Sequence, residues 1–108
     1  MKKKYINQSR EIVVEMVAIE YRRSKKHLDY YHYTSCVKEN QRGYNDDLHY
    51  VQEVDTSLNN CSKDTQNIIR NGYLEVSEPK WYLEYYTRSV YYRLRKKAIE
   101  EFLNCLDF

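Results

Sequence analysis

The chain offers its backbone very few places to turn. Its 108 residues hold two glycines, Gly43 and Gly72, and one proline, Pro79. Gly and Pro supply the positive φ and the fixed φ that tight turns draw on. A multi-stranded sheet would call for turn signals about every 8–12 residues. Long helices joined by few connections are the remaining solution, so the expectation is an all-α fold of about five helices. Nothing interrupts the chain before Gly43, and a first helix can run from Glu11 to about residue 38, or break once in the polar stretch 22–27.

Apolar spacing then places the helices. Ser9 can cap the first, after basic residues 1–7 that are expected to fray. Ile12, Met16 and Ile19 form one row at helical spacing, broadened by Val13, Val17 and Ala18, and Leu28, Tyr31 and Ser35 continue a face. Arg22, Arg23, Lys25 and Lys26 lie on the same helix and read as a solvated face. Glu39 to Asn45 reads as a polar connector around Gly43, with Asp46 or Asp47 capping a second helix whose narrow stripe is Leu48, Val51, Val54 or Asp55, and Leu58, and which closes at Asn59 and Asn60. Ser62 caps a third, carrying Ile68 and Ile69, with Asp64 suited to its positive end. Pro79 opens a short aromatic fourth helix through Trp81, Tyr82, Leu83, Tyr85 and Tyr86. A single domain over residues 1–108 is expected, with a long N-terminal helix and connector over 1–42 packed on a C-terminal helical region over 46–108.

The last helix, Thr87 to Leu106, is the most informative. Thr87 caps it, and Tyr91, Leu94, Ala98, Phe102 and Cys105 recur at spacings of three and four as its apolar stripe. Its first half carries Arg88, Arg93, Arg95, Lys96 and Lys97 with no acid among them, and Glu100, Glu101 and Asp107 follow. That order opposes the helix dipole, at roughly 0.3–1 kcal/mol per exposed charge. An anionic partner is one reason for such a helix. The formal charge of the whole chain is only +2, so attraction to an anion rests on this local cluster.

A capped helix, a break, a short aromatic helix and a base-rich helix follow one another in the order of a helix-turn-helix, whose second member enters the major groove of DNA. On such a helix Arg88, Ser89, Tyr92 and Arg93 would face bases, and Lys96 and Lys97, a turn later, would meet phosphates. Tyr91 belongs to the core. The stretches DTSLNNCSKDTQNIIRNGYL and WYLEYYTRSVYYRLRKKAIEEFL carry a resemblance in the same direction. From about Val51 to Leu106 the chain resembles the helix-turn-helix of the fourth region of sigma factors, and more closely the ArpU-type phage late-gene transcription regulators. Similar stretches occur in small proteins of mollicutes. The resemblance implies a DNA-binding regulator of transcription, with Arg88, Ser89, Tyr92, Arg93, Lys96 and Lys97 as recognition-helix positions and double-stranded DNA as partner.

Other chemistry finds little support. His27 and His32 are five apart and share a helix face poorly, so no metal site is expected. Adjacent acids such as Asp46 and Asp47 point apart on a helix and make poor acid–base partners. With Gly only at 43 and 72 there is no phosphate loop, and no enzyme or cofactor is expected. Cys36, Cys61 and Cys105 have no paired spacing, and Cys105 reads as a small buried hydrophobe. No signal peptide or membrane span is read, and a reducing cytoplasm fits best. A different class of function stays open: a helical protein–protein module, with the basic helix on an acidic surface such as RNA polymerase, and Ile12, Met16 and Ile19 forming a seam for a homodimer or another partner.

Overall fold

A computed structural model describes residues 9–34 and 41–107. The residues expected to fray, the C-terminal end of the first helix and Cys36 lie outside that range. The fold is all-α: α1 (Arg10–Thr34), α2 (Gln41–Asn59), α3 (Lys63–Ile69) and α4 (Arg88–Cys105), with no strand among the described residues. α3 runs on into a widened π-helical turn, Arg70–Leu74, and a single 3₁₀ turn, Trp81–Glu84, precedes α4. No helix is long and apolar enough to cross a membrane among the described residues.

The start of α2 differs from expectation. The stretch read as a connector through Asn45 is helical from Gln41 onward, and Asp46 and Asp47 lie inside the helix instead of capping it. Gly43 has no positive φ and follows the helical path. Its missing side chain is used by α1: a Cβ there would stand 3.1 Å from the Tyr31 hydroxyl. Tyr31 and Tyr44 then meet edge to face at 5.9 Å. Asp47 turns toward α1, accepting from Ser24 Oγ at 3.1 Å and pairing with His27 Nδ1 at 3.2 Å.

α1 packs lengthwise on α2, and α4 packs on α3, with the π-helical turn wedged against α1. The buried face of α1 is Val13, Val14, Val17, Ala18, Tyr21, Ser24 and Leu28. Ile12, Met16 and Ile19 lie one step round the helix and are 43%, 37% and 59% exposed. The expected face is thus half right: Val13, Val17, Ala18 and Leu28 turn inward as read, and the Ile12 row does not. Both rows have helical spacing, but only the Val13 row continues through Tyr21 and Leu28, and that continuation decides which face turns inward. Phe102, Leu58, Ile68, Ile69, Leu103, Val14, Val17 and Val54 are fully buried where the four helices meet.

Three N-caps stand as the sequence implies, the first being Ser9, whose Oγ accepts from Ile12 N at 3.4 Å. Ser62 Oγ accepts from Thr65 N at 3.4 Å, and Thr87 Oγ1 accepts from Val90 N at 3.4 Å, each residue in extended backbone geometry. The α3 cap has a second, remote layer. Glu101 on α4 accepts from Ser62 N at 2.6 Å, from Ser62 Oγ at 3.1 Å and from Thr65 Oγ1 at 3.0 Å. A carboxylate at a helix N-terminus meets unpaired amides and the positive end of the dipole. The α3–α4 packing thus has a charged clasp.

Candidate nucleic-acid interface

The site begins at the α4 N-terminus. Thr87 fixes the start, and Tyr91 one turn on is buried. The Tyr91 ring stacks on Tyr82 at 3.9 Å with 5° between planes, and Trp81 meets it edge-on at 5.7 Å. Burial raises the Tyr91 hydroxyl pKa, although the Arg95 charge works the other way. The short fourth helix expected before Thr87 is only the 3₁₀ turn Trp81–Glu84, because Tyr82 must turn inward to reach Tyr91. The helix that α4 packs against is α3, and residues 75–87 form a longer connection than the three or four residues of a compact helix-turn-helix.

With Tyr91 inward, the other side of α4 faces solvent. Arg88, Ser89, Tyr92, Arg93, Lys96 and Lys97 are all exposed. At about 100° per residue they occupy roughly half the helix circumference, and the stretch 88–97 extends about 14 Å along the axis. Among the described residues, Arg88, Arg93, Lys96 and Lys97 have no ion-pair partner. The structure brings every sequence-chosen position to one surface.

The fifth base is different. Arg95 is half-buried, pairs with Glu11 of α1 at 3.1 Å, and holds its guanidinium 5.2 Å from the Tyr92 ring centroid. It braces α4 against α1. Beside it Arg10 pairs with Glu100 at 2.7 Å and donates to Asn104 Oδ1 at 3.2 Å. These pairs border an open groove of about 400 Å³, lined also by Tyr92, Lys96 and Ile99. Arg10 was not singled out in the sequence, since 90 residues separate it from Glu100 and no local signal links them. Its effect is to offset the one carboxylate that lies on the same side of α4 as the bases.

The charge order of α4 can now be divided. Its acids serve the fold, Glu101 at the α3 N-terminus and Glu100 against Arg10. One base, Arg95, does so too. Four bases have no ion-pair partner among the described residues. Of the acids nearer the chain connection, Glu75 pairs with Arg70 at 3.6 Å, while Glu78 and Glu84 line a separate groove with Asn71, Ser77, Trp81 and Tyr85. The two histidines of α1 have local partners, His27 with Asp47 and His32 with the Tyr44 hydroxyl at 3.2 Å. No family model, curated protein or solved structure matches the chain.

Proposed function

We propose that the protein binds double-stranded DNA through the first half of α4 and regulates transcription. The observation that carries this reading is the set of four unpaired bases, Arg88, Arg93, Lys96 and Lys97, on one exposed face of a capped helix. An α-helix with its side chains is about 10–12 Å across, and the major groove is about 12 Å wide. In this reading Arg88, Ser89, Tyr92 and Arg93 meet base edges, where an arginine fork suits guanine and a tyrosine ring suits a thymine methyl. Lys96 and Lys97 meet phosphates and set the register. The resemblance to ArpU-type regulators and to the fourth region of sigma factors supports the same face.

The test is fluorescence anisotropy with pooled random duplexes at low and moderate salt, followed by selection of the bound fraction. Each phosphate neutralised steepens log K against log salt by about 0.9. Salt-sensitive binding that enriches one sequence is the expected result. No binding at low salt overturns the proposal.

A second reading has its own observation, the exposed row Ile12, Met16 and Ile19 on α1. In that reading α1 is the seam for a second copy or for a protein such as RNA polymerase. Ile12→Asp with Ile19→Asp should then abolish self-association in sedimentation, or capture of purified polymerase, while DNA binding by α4 persists.

A further inference from the structure

Cys61 and Cys105 are 44 residues apart in the chain, yet their sulfur atoms stand 3.5 Å from each other. Cys61 is buried in the bend between α2 and α3, and Cys105 is the half-buried last residue of α4. Both are free thiols, and the Cys61 S–H donates to the Ser57 carbonyl at 3.4 Å. A disulfide needs its sulfurs about 2.05 Å apart. The remaining approach is on the order of 1.5 Å, within what rotation of two short side chains at a bend and a helix end can supply. We propose that Cys61 and Cys105 are a dithiol pair that a small-molecule disulfide converts, reversibly, into an intramolecular disulfide.

The order of events follows from access. Cys105 is partly open to solvent and reacts first: its thiolate attacks one sulfur of the oxidant, forms a mixed disulfide and releases one small thiolate. Cys61 then loses its proton and attacks the Cys105 sulfur, expelling the second small thiolate. Two protein thiols give up two electrons and two protons, and one small disulfide becomes two small thiols. Cys61 is the slow partner, since burial first, and the neighbouring Cys105 next, push its thiol up to about 12. Closure therefore accelerates as pH rises, because the thiolate is the nucleophile. The bond would clip the α2–α3 bend to the end of α4, on the opposite half of that helix from the unpaired bases, so the inference stands apart from the DNA reading. A reducing compartment would keep the pair as two thiols.

The experiment treats the full chain with oxidised glutathione and follows intact mass, free thiols and melting. The expected product is a monomer lighter by two hydrogens, with a peptide map linking Cys61 to Cys105. Its Tm should rise by on the order of 10 °C, and dithiothreitol should reverse the change. Cys36→Ser removes the third thiol and should leave that product unchanged. With Cys36→Ser also in place, Cys61→Ser should stop at one glutathione adduct on Cys105. A wild-type chain that stops at the mixed disulfide, links through Cys36 or forms only dimers overturns the proposal. A chain with both Cys36→Ser and Cys61→Ser that takes no adduct overturns the assignment of Cys105 as the entry thiol.

Discussion

Two helices of this protein each carry a cluster of bases, and the fold treats the two clusters differently. On α1, Arg22 donates to the Tyr73 carbonyl, Arg23 reaches Glu20 at 3.8 Å, and Lys25 lies 5.8 Å from the centroid of the Tyr21 ring. Only Lys26 is without such a contact among the described residues. On α4, Arg88, Arg93, Lys96 and Lys97 have none. The difference lies in what the neighbouring helices offer. α1 lies beside the turn Arg70–Leu74, which presents a carbonyl to Arg22, and it supplies its own acid and ring. Among the described residues no carboxylate reaches these four bases, and the acids on the second half of α4 are already engaged. A run of bases in a sequence is therefore not one kind of object. Its meaning depends on whether the fold supplies the counter-groups.

The comparison breaks most sharply on charge reversal. Arg93→Glu with Lys96→Glu and Lys97→Glu should lower DNA affinity at least ~100-fold at low salt, by loss of one base-facing and two phosphate-facing charges and gain of repulsion. The melting curve should barely move, since exposed charges without partners contribute little to stability. The matching reversal of Arg23, Lys25 and Lys26 should leave affinity within a few-fold. Equal losses from both triples, measured by anisotropy, would mean that DNA senses overall charge and not the α4 face.

The acids of α4 should show the opposite behaviour. Glu101→Ala removes three hydrogen bonds at the α3 N-terminus, one of them to a backbone amide. A charge-assisted bond of this kind contributes about 1.5–3 kcal/mol. Urea unfolding should show a loss of about 2 kcal/mol, with affinity of the folded fraction little changed. A smaller effect of the same kind belongs to Arg22→Ala, about 1 kcal/mol from its hydrogen bond to the Tyr73 carbonyl, against almost nothing for Lys26→Ala.

Which of these contacts could be read in advance depended on distance along the chain. Ser62 and Thr87 were legible as caps because a cap acts on a residue three positions away. Ile68, Ile69 and the inward Tyr91 followed from local spacing. The Glu101 clasp joins residues 39 apart, and the Arg10–Glu100 pair joins residues 90 apart. No periodicity announces such partners. The same holds for Cys61 and Cys105, which linear spacing had separated. The α1 face was read in part, with Val13, Val17, Ala18 and Leu28 buried as expected and Ile12, Met16 and Ile19 exposed instead: the outer row satisfies the helical period as well as the inner one, and burial by α2 and α4 settles the choice. Gly43 misled because glycine costs a helix about 1 kcal/mol relative to alanine, which packing against Tyr31 and Tyr44 can offset. The six α4 positions chosen as a surface were recoverable because exposure on a helix is the complement of its stripe, whereas the removal of Arg95 from the free set needed Glu11.

The smallest effect concerns Tyr73, which lies where the two basic helices approach each other. Arg22 of α1 donates to its carbonyl, and the Arg95 charge reaches its ring. Its hydroxyl is buried with no hydrogen-bond partner among the described residues. Burial is the main cause that pushes this hydroxyl up to about 12; the Arg95 charge opposes that shift, and the Glu11 charge adds to it. Tyr21 is also pushed up to about 12, by burial and by its 2.8 Å bond to Asp55. A tyrosine whose folded pKa is raised is more easily ionised in the unfolded chain, where the value is about 10. The contribution of these two tyrosines to stability is thus undiminished below about pH 10 and falls as pH climbs toward about 12. Tyr73→Phe removes the unpartnered hydroxyl and one of the groups behind that fall. It should leave stability at neutral pH equal or higher by up to about 1 kcal/mol, and make the alkaline loss shallower. Tyr21→Phe should shallow the alkaline loss too, but lower neutral stability, because its hydroxyl is bonded. If Tyr73→Phe is the more destabilising of the two in urea at pH 7, the Tyr73 hydroxyl has a partner, and the junction between the helices is held by more than Arg22 and Arg95.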